Sequence, residues 1–255
     1  MSFGKSLILL VLVIAGYAVV FLDDETIRRL SAEDGLVETV GALCFLGAAL
    51  VFFLIYRKNR KIRSNRGSGS RSQVAVLLLG LFFLVCFLEE ISWGQRVFGV
   101  GTPEALADAN RQGEINIHNL NWFHGKEKDG SRKSFLKLLI NGDRLFSVFW
   151  LVFGVIVPLL DRYSQRCRTL FSDIRMPVLP VAFSVFFVLN YIISESMPAL
   201  ESLNYPTHPW VEIKEANCAF LLMLGSVCLF LRQPDERQCA SRPRELSAVG
   251  RSVPL

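Results

Sequence analysis

The sequence predicts an all-α fold, a polytopic membrane helix bundle of about six transmembrane helices with a structured outer loop at about 94–143. Two properties of the whole chain support this. Of its 255 residues, 51% are hydrophobic, and the mean hydropathy is +0.37. Such values are typical of multi-pass membrane proteins rather than of soluble domains. The basic residues lie in short patches beside apolar segments and lack an interleaved aromatic surface, so the pattern speaks against nucleic-acid binding.

Six apolar stretches approach the length of about 20 residues that a helix needs to cross a bilayer. We predict spans at about 6–22, 36–56, 74–93, 144–160, 177–194 and 215–231. The first stretch follows a single Lys5 and has no small-x-small cleavage site before "LDDE", so we expect a retained helix and not a removed signal peptide. Residues 1–232 would form a single transmembrane bundle, and 233–255 a flexible cytoplasmic tail.

The third span carries two consecutive carboxylates, Glu89 and Glu90, at its end. The apolar run from 74 to 88 has 15 residues, which span roughly 22 Å of a hydrocarbon core about 30 Å thick. We therefore expect the helix to continue through the acid pair to Trp93, an interfacial aromatic anchor. That would place both carboxylates at the membrane boundary.

Loop charges predict the orientation of the bundle. Residues 57–71 contain seven Lys or Arg and no acid, whereas 23–35 contain five acids and two Arg. Because positive loops stay inside, 57–71, 161–176 and both termini are expected in the cytoplasm. None of the six cysteines falls in an outer loop, so no disulfide framework is implied.

Polar and ionisable side chains that could take part in catalysis or binding lie on the predicted outer side. They are Glu38; Glu89, Glu90, Ser92, Gln95 and Arg96 around the end of the third span; Gln112, Glu114, Asn116, His118, Asn119 and His124 in the outer loop; Asn190, Ser194 and Glu195; and His208, Glu212 and Glu215. Helix ends of a bundle can bring such residues together, so we predict a polar pocket at the outer membrane face.

Two segments of the outer loop have sequence patterns that predict their local structure. In "TPEALADANRQG", Thr102 is an N-cap candidate, Pro103 suits the first helical position and Gly113 suits a stop, which predicts a short helix. The following "EINIHNL" alternates polar and apolar residues, as an extended segment does. Glu114, Asn116 and His118 would then share one face.

"EEISWGQR", "TPEAL" and "QGEINIHNL", in this order, resemble the signature of an uncharacterised family of bacterial multi-pass membrane proteins. Its members also tend to have an "EDGLVE"-like entry to an early span, here 33–38. The resemblance covers about 90 residues and implies an inner-membrane protein with an outward polar centre. A vaguer similarity is to alkaline-ceramidase-type membrane hydrolases, which combine an acid, a serine and histidines at helix ends. This sequence lacks their HxxxH element and has six predicted spans where they have seven.

The candidate catalytic residues are Glu89, Glu90 and His118. Glu89 could act as a general base or as a metal ligand, and the alternative is a salt bridge to Arg96 or Arg144 that fixes helix ends. Zinc or another divalent metal would need a long-range ligand set such as His118, His208 and Glu89, because HExxH and CxxC motifs are absent. The alternative for the histidines is polar capping of the loop.

The candidate substrate-binding residues are Arg96, Gln95, Asn116, Asn119 and Glu114. Arg96 with Gln95 could bind an anionic headgroup through a bidentate fork, or merely contact interfacial lipid.

Ser92 is a nucleophile only if a histidine reaches it, since no GxSxG elbow surrounds it. The alternative is a hydrogen bond from Ser92 to the carbonyl of Leu88.

Two classes of function remain open at this point. The first is an intramembrane enzyme, a hydrolase or transferase acting on a lipid or lipid-linked substrate. The second is a non-catalytic scaffold, assembly subunit or small-solute transporter in which the same residues form a structural polar cap. The spans have few polar or helix-breaking residues near their midplanes, which disfavours transport. Membrane lipids are the expected partners, and the sequence points to no protein partner.

Overall fold

A computed structural model describes residues 3–32, 35–64, 73–110, 113–117, 119–123, 142–200 and 209–233. Within these ranges the ordered elements are helical and there is no strand. The extended backbone is limited to an isolated antiparallel bridge between Asn110 and Leu120. The predicted all-α class is confirmed for the described part of the chain.

The described residues contain eleven α-helical segments. They are α1 (Phe3–Gly16), continued by a 3₁₀ turn (Tyr17–Phe21); α2 (Asp24–Leu30); α3 (Leu36–Ser64); α4 (Val74–Glu90); α5 (Gln95–Phe98); α6 (Glu104–Ala109); α7 (Gly142–Leu151), continued by a π-helical turn (Val152–Ile156) and α8 (Val157–Tyr163); α9 (Gln165–Asp173); α10 (Val181–Leu200); and α11 (Pro209–Leu231). Each of the six predicted spans overlaps an apolar helix.

Three helices of the described chain are long and apolar enough to cross a membrane. They cover Leu36–Lys61, Arg144–Tyr163 and Pro209–Leu231. Two shorter apolar helices cover Ser6–Val19 and Val181–Met197. These features fit an integral membrane protein, and the number of six crossings and the direction of the termini stay predictions.

The core forms around α3, which packs against α4 on one side and α11 on the other. Phe52 of α3 and Phe83 of α4 are fully buried, and their rings stack with centroids 5.6 Å apart. On the other side of the bundle, α10 packs against α11 and the π-helical turn, and α1 contacts both α10 and α11. Aromatic rings therefore fill the space between the central helices.

Pro158 explains the π-helical turn inside the fourth predicted span. Proline has no backbone N–H, so an α-helix through residue 158 would leave the carbonyl of Gly154 without its donor. Ser184 of α10 supplies one instead, because its Oγ donates to the Gly154 carbonyl at 2.8 Å. Gly154 also lets α10 approach closely, since a Cβ there would lie 2.7 Å from the ring of Phe187.

A buried polar cluster joins α1 to α10 and α11. The Tyr17 hydroxyl donates to the Oδ1 and backbone carbonyl of Asn190 at 2.8 and 3.0 Å. Asn190 in turn donates to the Lys214 carbonyl at 2.9 Å. Asn217 donates to Asn190 Oδ1 at 3.1 Å and to the Val13 carbonyl at 3.2 Å. Buried polar groups must find such partners, and these tie three helices together.

Candidate functional site

Helix α4 ends at Glu90, three residues earlier than the predicted end at Trp93. The backbone then enters the left-handed region three times in succession, at Ser92 (φ 46°), Trp93 (φ 55°) and Gly94 (φ 77°). Glycine adopts this conformation freely, whereas serine and tryptophan do so at a cost. These residues redirect the chain so that α5 starts at Gln95.

Glu89 connects the end of α4 to the outer loop. Its Oε1 accepts a hydrogen bond from Trp93 Nε1 at 2.6 Å, and its Oε2 accepts one from the backbone N–H of Ile117 at 2.6 Å. A carboxylate that accepts N–H groups from two segments holds them in a fixed relation. Glu90 is the last residue of α4 and is half-buried.

Ser92 lies at the centre of a second set of bonds. It is 3% exposed, and its Oγ donates a short hydrogen bond to the carboxylate of Glu114. The side-chain amide of Asn116 donates to Ser92 Oγ at 3.0 Å and to Glu114 Oε2 at 3.1 Å. The alternative bond to the Leu88 carbonyl is therefore wrong, because the strained backbone directs this hydroxyl to the loop.

Gln95 binds the loop from the start of α5. Its Oε1 accepts from the backbone N–H of Ile115 at 2.7 Å, and its Nε2 donates to Thr102 Oγ1 at 2.5 Å. The Thr102 hydroxyl donates to the Gly113 carbonyl at 2.6 Å. Thr102 is thus engaged away from the short helix α6, whose N-cap is Pro103, so the predicted capping by Thr102 is wrong.

Asn110 is a structural residue of the site that sequence reasoning missed. It is 3% exposed, and its Nδ2 donates to the backbone carbonyl and to Oδ1 of Asn116 at 2.9 and 2.8 Å. Asn119 is also buried, at 7% exposure. No sequence signal pointed to Asn110, because the predicted helix extended to Gly113, whereas α6 ends at Ala109 and Asn110 is its C-cap residue.

The structure brings five residues into one group, which we call the helix-end network. They are Glu89, Ser92, Gln95, Glu114 and Asn116. Glu114 and Asn116 meet as predicted, through their mutual hydrogen bond, but the backbone bends at 113–115 and at Ile117 and does not form the predicted extended segment. Asn190 and Ser194 do not join this network, since they bond within the buried cluster of α1, α10 and α11 and to the Trp210 carbonyl.

Several predicted site residues lie outside what the structure describes. Gln112, His118, His124 and His208 belong to the ranges left out, and of Arg96 only the backbone, in α5, is described. Among the described residues there is no group of three or more His, Cys, Asp or Glu that could hold a metal ion. Glu89 is the one described member of the predicted zinc set, whose other members are His118 and His208.

The apolar helices and the helix-end network define a class, an integral helical membrane protein with a loop hydrogen-bonded to the end of a helix. Comparisons with protein-family models, with curated proteins and with solved structures gave no match.

Proposed function

We propose that the protein is a membrane-embedded hydrolase or transferase that acts on an ester of a lipid or lipid-linked substrate, with Ser92 as the nucleophile. One observation carries the proposal. A buried serine with φ 46° has its hydroxyl bonded to a carboxylate from a segment 22 residues away. This arrangement supports catalysis because the Glu114 carboxylate contacts the hydroxyl in the place where a histidine base was expected, and the backbone around Ser92 is strained.

The strain is informative because it coincides with bonds to a distant segment of the loop. A non-glycine residue in the left-handed region costs about 1–2 kcal/mol, and here two such residues, Ser92 and Trp93, stand in succession. Surrounding bonds from Glu114, Asn116 and Glu89 hold them in place. Strained residues held by their surroundings cluster at active sites.

The chemistry would proceed through an ester on Ser92. As Ser92 Oγ forms a bond to the substrate carbonyl carbon, Glu114 takes the hydroxyl proton. The carbon–oxygen bond to the leaving alcohol then breaks, and the alcohol departs with that proton. Water or an acceptor hydroxyl then gives its proton to Glu114 as its oxygen bonds the acyl carbon, the bond from that carbon to Ser92 Oγ breaks, and the proton passes from Glu114 to Oγ.

Other predicted residues fit supporting roles in this proposal. Glu89 and Gln95 are positioning residues, because their side chains bond backbone groups of the loop. His118 directly follows Ile117, whose N–H bonds Glu89, and stays a predicted catalytic partner. Arg96 stays the predicted headgroup contact, in the chain next to Gln95. Three roles stay predictions: substrate binding by Asn119, catalysis by Glu90, and metal binding by the zinc ligand set.

The membrane setting of the proposal rests on charge and on resemblance. The basic 57–71 segment and the acidic 23–35 segment support six spans with both termini in the cytoplasm of a bacterial cell. The helix-end network would then lie at the outer face. The resemblance of "EEISWGQR" and "QGEINIHNL" to a bacterial membrane family agrees with this placement.

A serine-directed fluorophosphonate probe tests the proposal on the purified full chain in mild detergent. We expect a covalent adduct on Ser92, located by mass spectrometry, that Ser92→Ala abolishes. Glu114→Gln should slow labelling by roughly 100-fold or more, the usual contribution of a general base. Ser184→Ala serves as the control, because this buried serine bonds a backbone carbonyl and lies apart from the network. A folded wild-type protein without an adduct at Ser92 would refute the nucleophile.

A structural cap is the second candidate function, and a specific observation favours it. The side chains of Glu89, Gln95 and Asn110 all bond backbone groups of the loop, as residues that merely fix a loop do. In that case Ser92→Ala and Glu114→Gln would speed proteolysis of the loop, and no serine would be labelled. Elemental analysis of wild type and His118→Ala tests the metal-dependent form of the enzyme, which needs stoichiometric metal that the variant loses.

A further inference from the structure

A cavity at the opposite, basic end of the bundle is lined by residues near the end of α3, the start of α4 and the ends of α9 and α11. Its volume is about 310 Å³. The polar part of its wall consists of Asn59, Gln73, Ser172, Arg175 and Gln233, and the apolar part includes Ile55, Val76 and Leu229. A volume near 300 Å³ is at the lower end of small-ligand sites, so it suits a headgroup rather than a whole lipid.

Arg175 has an unusual backbone position in this wall. It has φ 53° and follows α9, where its N–H donates to the Ser172 carbonyl at 3.2 Å. The next N–H, of Met176, donates to the Phe171 carbonyl at 2.9 Å. These two bonds define a Schellman motif, in which the left-handed position is usually glycine. An arginine at this position lacks the conformational freedom that lets glycine adopt a positive φ, and it places a permanent cation at the cavity.

Among the described residues that line the cavity, Arg175 is charged and no Asp or Glu is present. A second cation lies beside it, because Lys58 Nζ is 3.4 Å from the carbonyl of Gln233 and 5.3 Å from the centroid of the Phe230 ring. Asn59 Nδ2 donates to Gln73 Oε1 at 3.0 Å, so the amides are ordered across the wall. Cations and amide donors together suit a phosphate.

Helix α9 indicates that the cavity lies at membrane depth near a surface. Leu170 of α9 is 55% exposed, and Ile174, the residue after the helix, is 49% exposed. The helix also carries Arg166 and Arg168. A short helix with exposed apolar and basic side chains is typical of a membrane interface. Basic pockets between helices at the cytoplasmic side of a bilayer are where anionic headgroups bind.

We propose that this cavity binds the phosphate of an anionic phospholipid headgroup, with Arg175 as the principal cation and Asn59 and Gln73 as polar partners. The apolar wall would contact the glycerol and the first methylenes. The site is separate from the helix-end network and does not depend on the proposed enzyme activity.

The test measures equilibrium binding to the full chain in neutral detergent, with three probes. They are a short-chain phosphatidylglycerol, a phosphatidylcholine of the same chain length and inorganic phosphate. For wild type we expect phosphatidylglycerol to bind at least tenfold more tightly than either other probe. Arg175→Gly should weaken its binding roughly 10- to 100-fold, the range for a lost hydrogen bond to a charged group, while the unfolding temperature stays constant or rises because glycine relieves the positive φ.

Two further variants make the result decisive. Arg175→Asn, which also tolerates the left-handed region, should lose binding as Arg175→Gly does. Arg166→Gln removes the same charge from an exposed position of α9 outside the cavity wall and should change the affinity less than twofold. If Arg166→Gln and Arg175→Gly lost the same affinity for phosphatidylglycerol, the binding would come from diffuse surface charge, and the proposed site would be overturned. Phosphate binding as tightly as the lipid would overturn the lipid as occupant.

Discussion

Removing one oxygen atom from Tyr17 tests how strongly the buried polar cluster stabilises the bundle. Tyr17→Phe keeps the ring, which is 3% exposed, and deletes the hydroxyl that donates to Asn190 at 2.8 and 3.0 Å. Asn190 Oδ1 then keeps only the Asn217 amide at 3.1 Å. Such a bond contributes about 0.6 kcal/mol on average in a membrane protein, with a maximum of about 1.7 kcal/mol, and about 1 kcal/mol in soluble proteins. We expect the free energy of unfolding to fall by about 1 kcal/mol, or roughly fivefold in the equilibrium constant.

Reversible unfolding in mixed micelles, followed by tryptophan fluorescence as the denaturing detergent increases, measures this loss. Tyr191→Phe is the matched control, because it deletes the same atom from a ring that is 45% exposed, and it should change the free energy of unfolding by less than about 0.5 kcal/mol. A double-mutant cycle with Asn190→Leu should give a coupling energy of at least about 0.5 kcal/mol. Equal effects of Tyr17→Phe and Tyr191→Phe, with no coupling to Asn190, would refute the reasoning.

Three further predictions concern local features. Ser184→Ala should lower the free energy of unfolding by about 1 kcal/mol, because the Gly154 carbonyl loses its 2.8 Å donor; an unchanged unfolding curve would contradict this. Gly154→Ala should cost about 1–3 kcal/mol by overpacking, since the new Cβ would lie 2.7 Å from the Phe187 ring. Gly101→Ala is the control without a clash, because a Cβ there meets no atom within 4 Å and Gly101 has no positive φ; equal losses for the two variants would contradict overpacking. The Thr26 amide, followed by the Thr26 hydroxyl, holds the pKa of Asp23 below its usual value. A lowered pKa stabilises the folded state above the unfolded pKa of Asp23, so the protection of amides at the start of α2, measured as the exchange rate relative to that of an unstructured peptide at the same pH, should fall as the pH drops below about 4. Asp23→Ala should remove that pH dependence.

The helices were predictable because each apolar run is longer than a typical strand. Each run is also continuous, so that the whole length of the helix can pack in the core or face lipid. The end of α4 was not predictable in the same way. Continuing the helix to Trp93 satisfied the local pattern and the expected membrane thickness. The chain leaves the helix at Glu90 because Glu114 and Asn116, more than 20 positions later, bind Ser92. Local propensity contains no information about a partner at that distance.

The site was predictable where a regular pattern places residues together. Alternation in "EINIHNL" put Glu114 and Asn116 on one face, and the structure joins them. Thr102 was assigned by a capping rule, which considers only the nearest helix. Its hydroxyl bonds the Gly113 carbonyl instead, because the folded loop returns past it.

The buried cluster of Tyr17 and Asn217 was missed for a different reason. Both residues stand in apolar runs, where a lone tyrosine is typical of an ordinary core aromatic and a lone asparagine has no local partner. Their bonds cross 173 and 204 positions. Only the packing of α1 against α10 and α11 reveals them.

The bond between Tyr17 and Asn190 also sets an order for assembly. A ribosome adds about 5–20 residues per second, so the 173 positions that separate the two residues take roughly 10–35 s to make. Throughout that interval α1 exists without the partners that satisfy its hydroxyl in the finished bundle. An unsatisfied polar group is costly in hydrocarbon, so the hydroxyl must stay near water or headgroups until α10 and α11 arrive. Docking of α1 therefore belongs to the last stage of biogenesis, and a chain truncated before Asn190 should leave this helix accessible to cross-linkers and proteases.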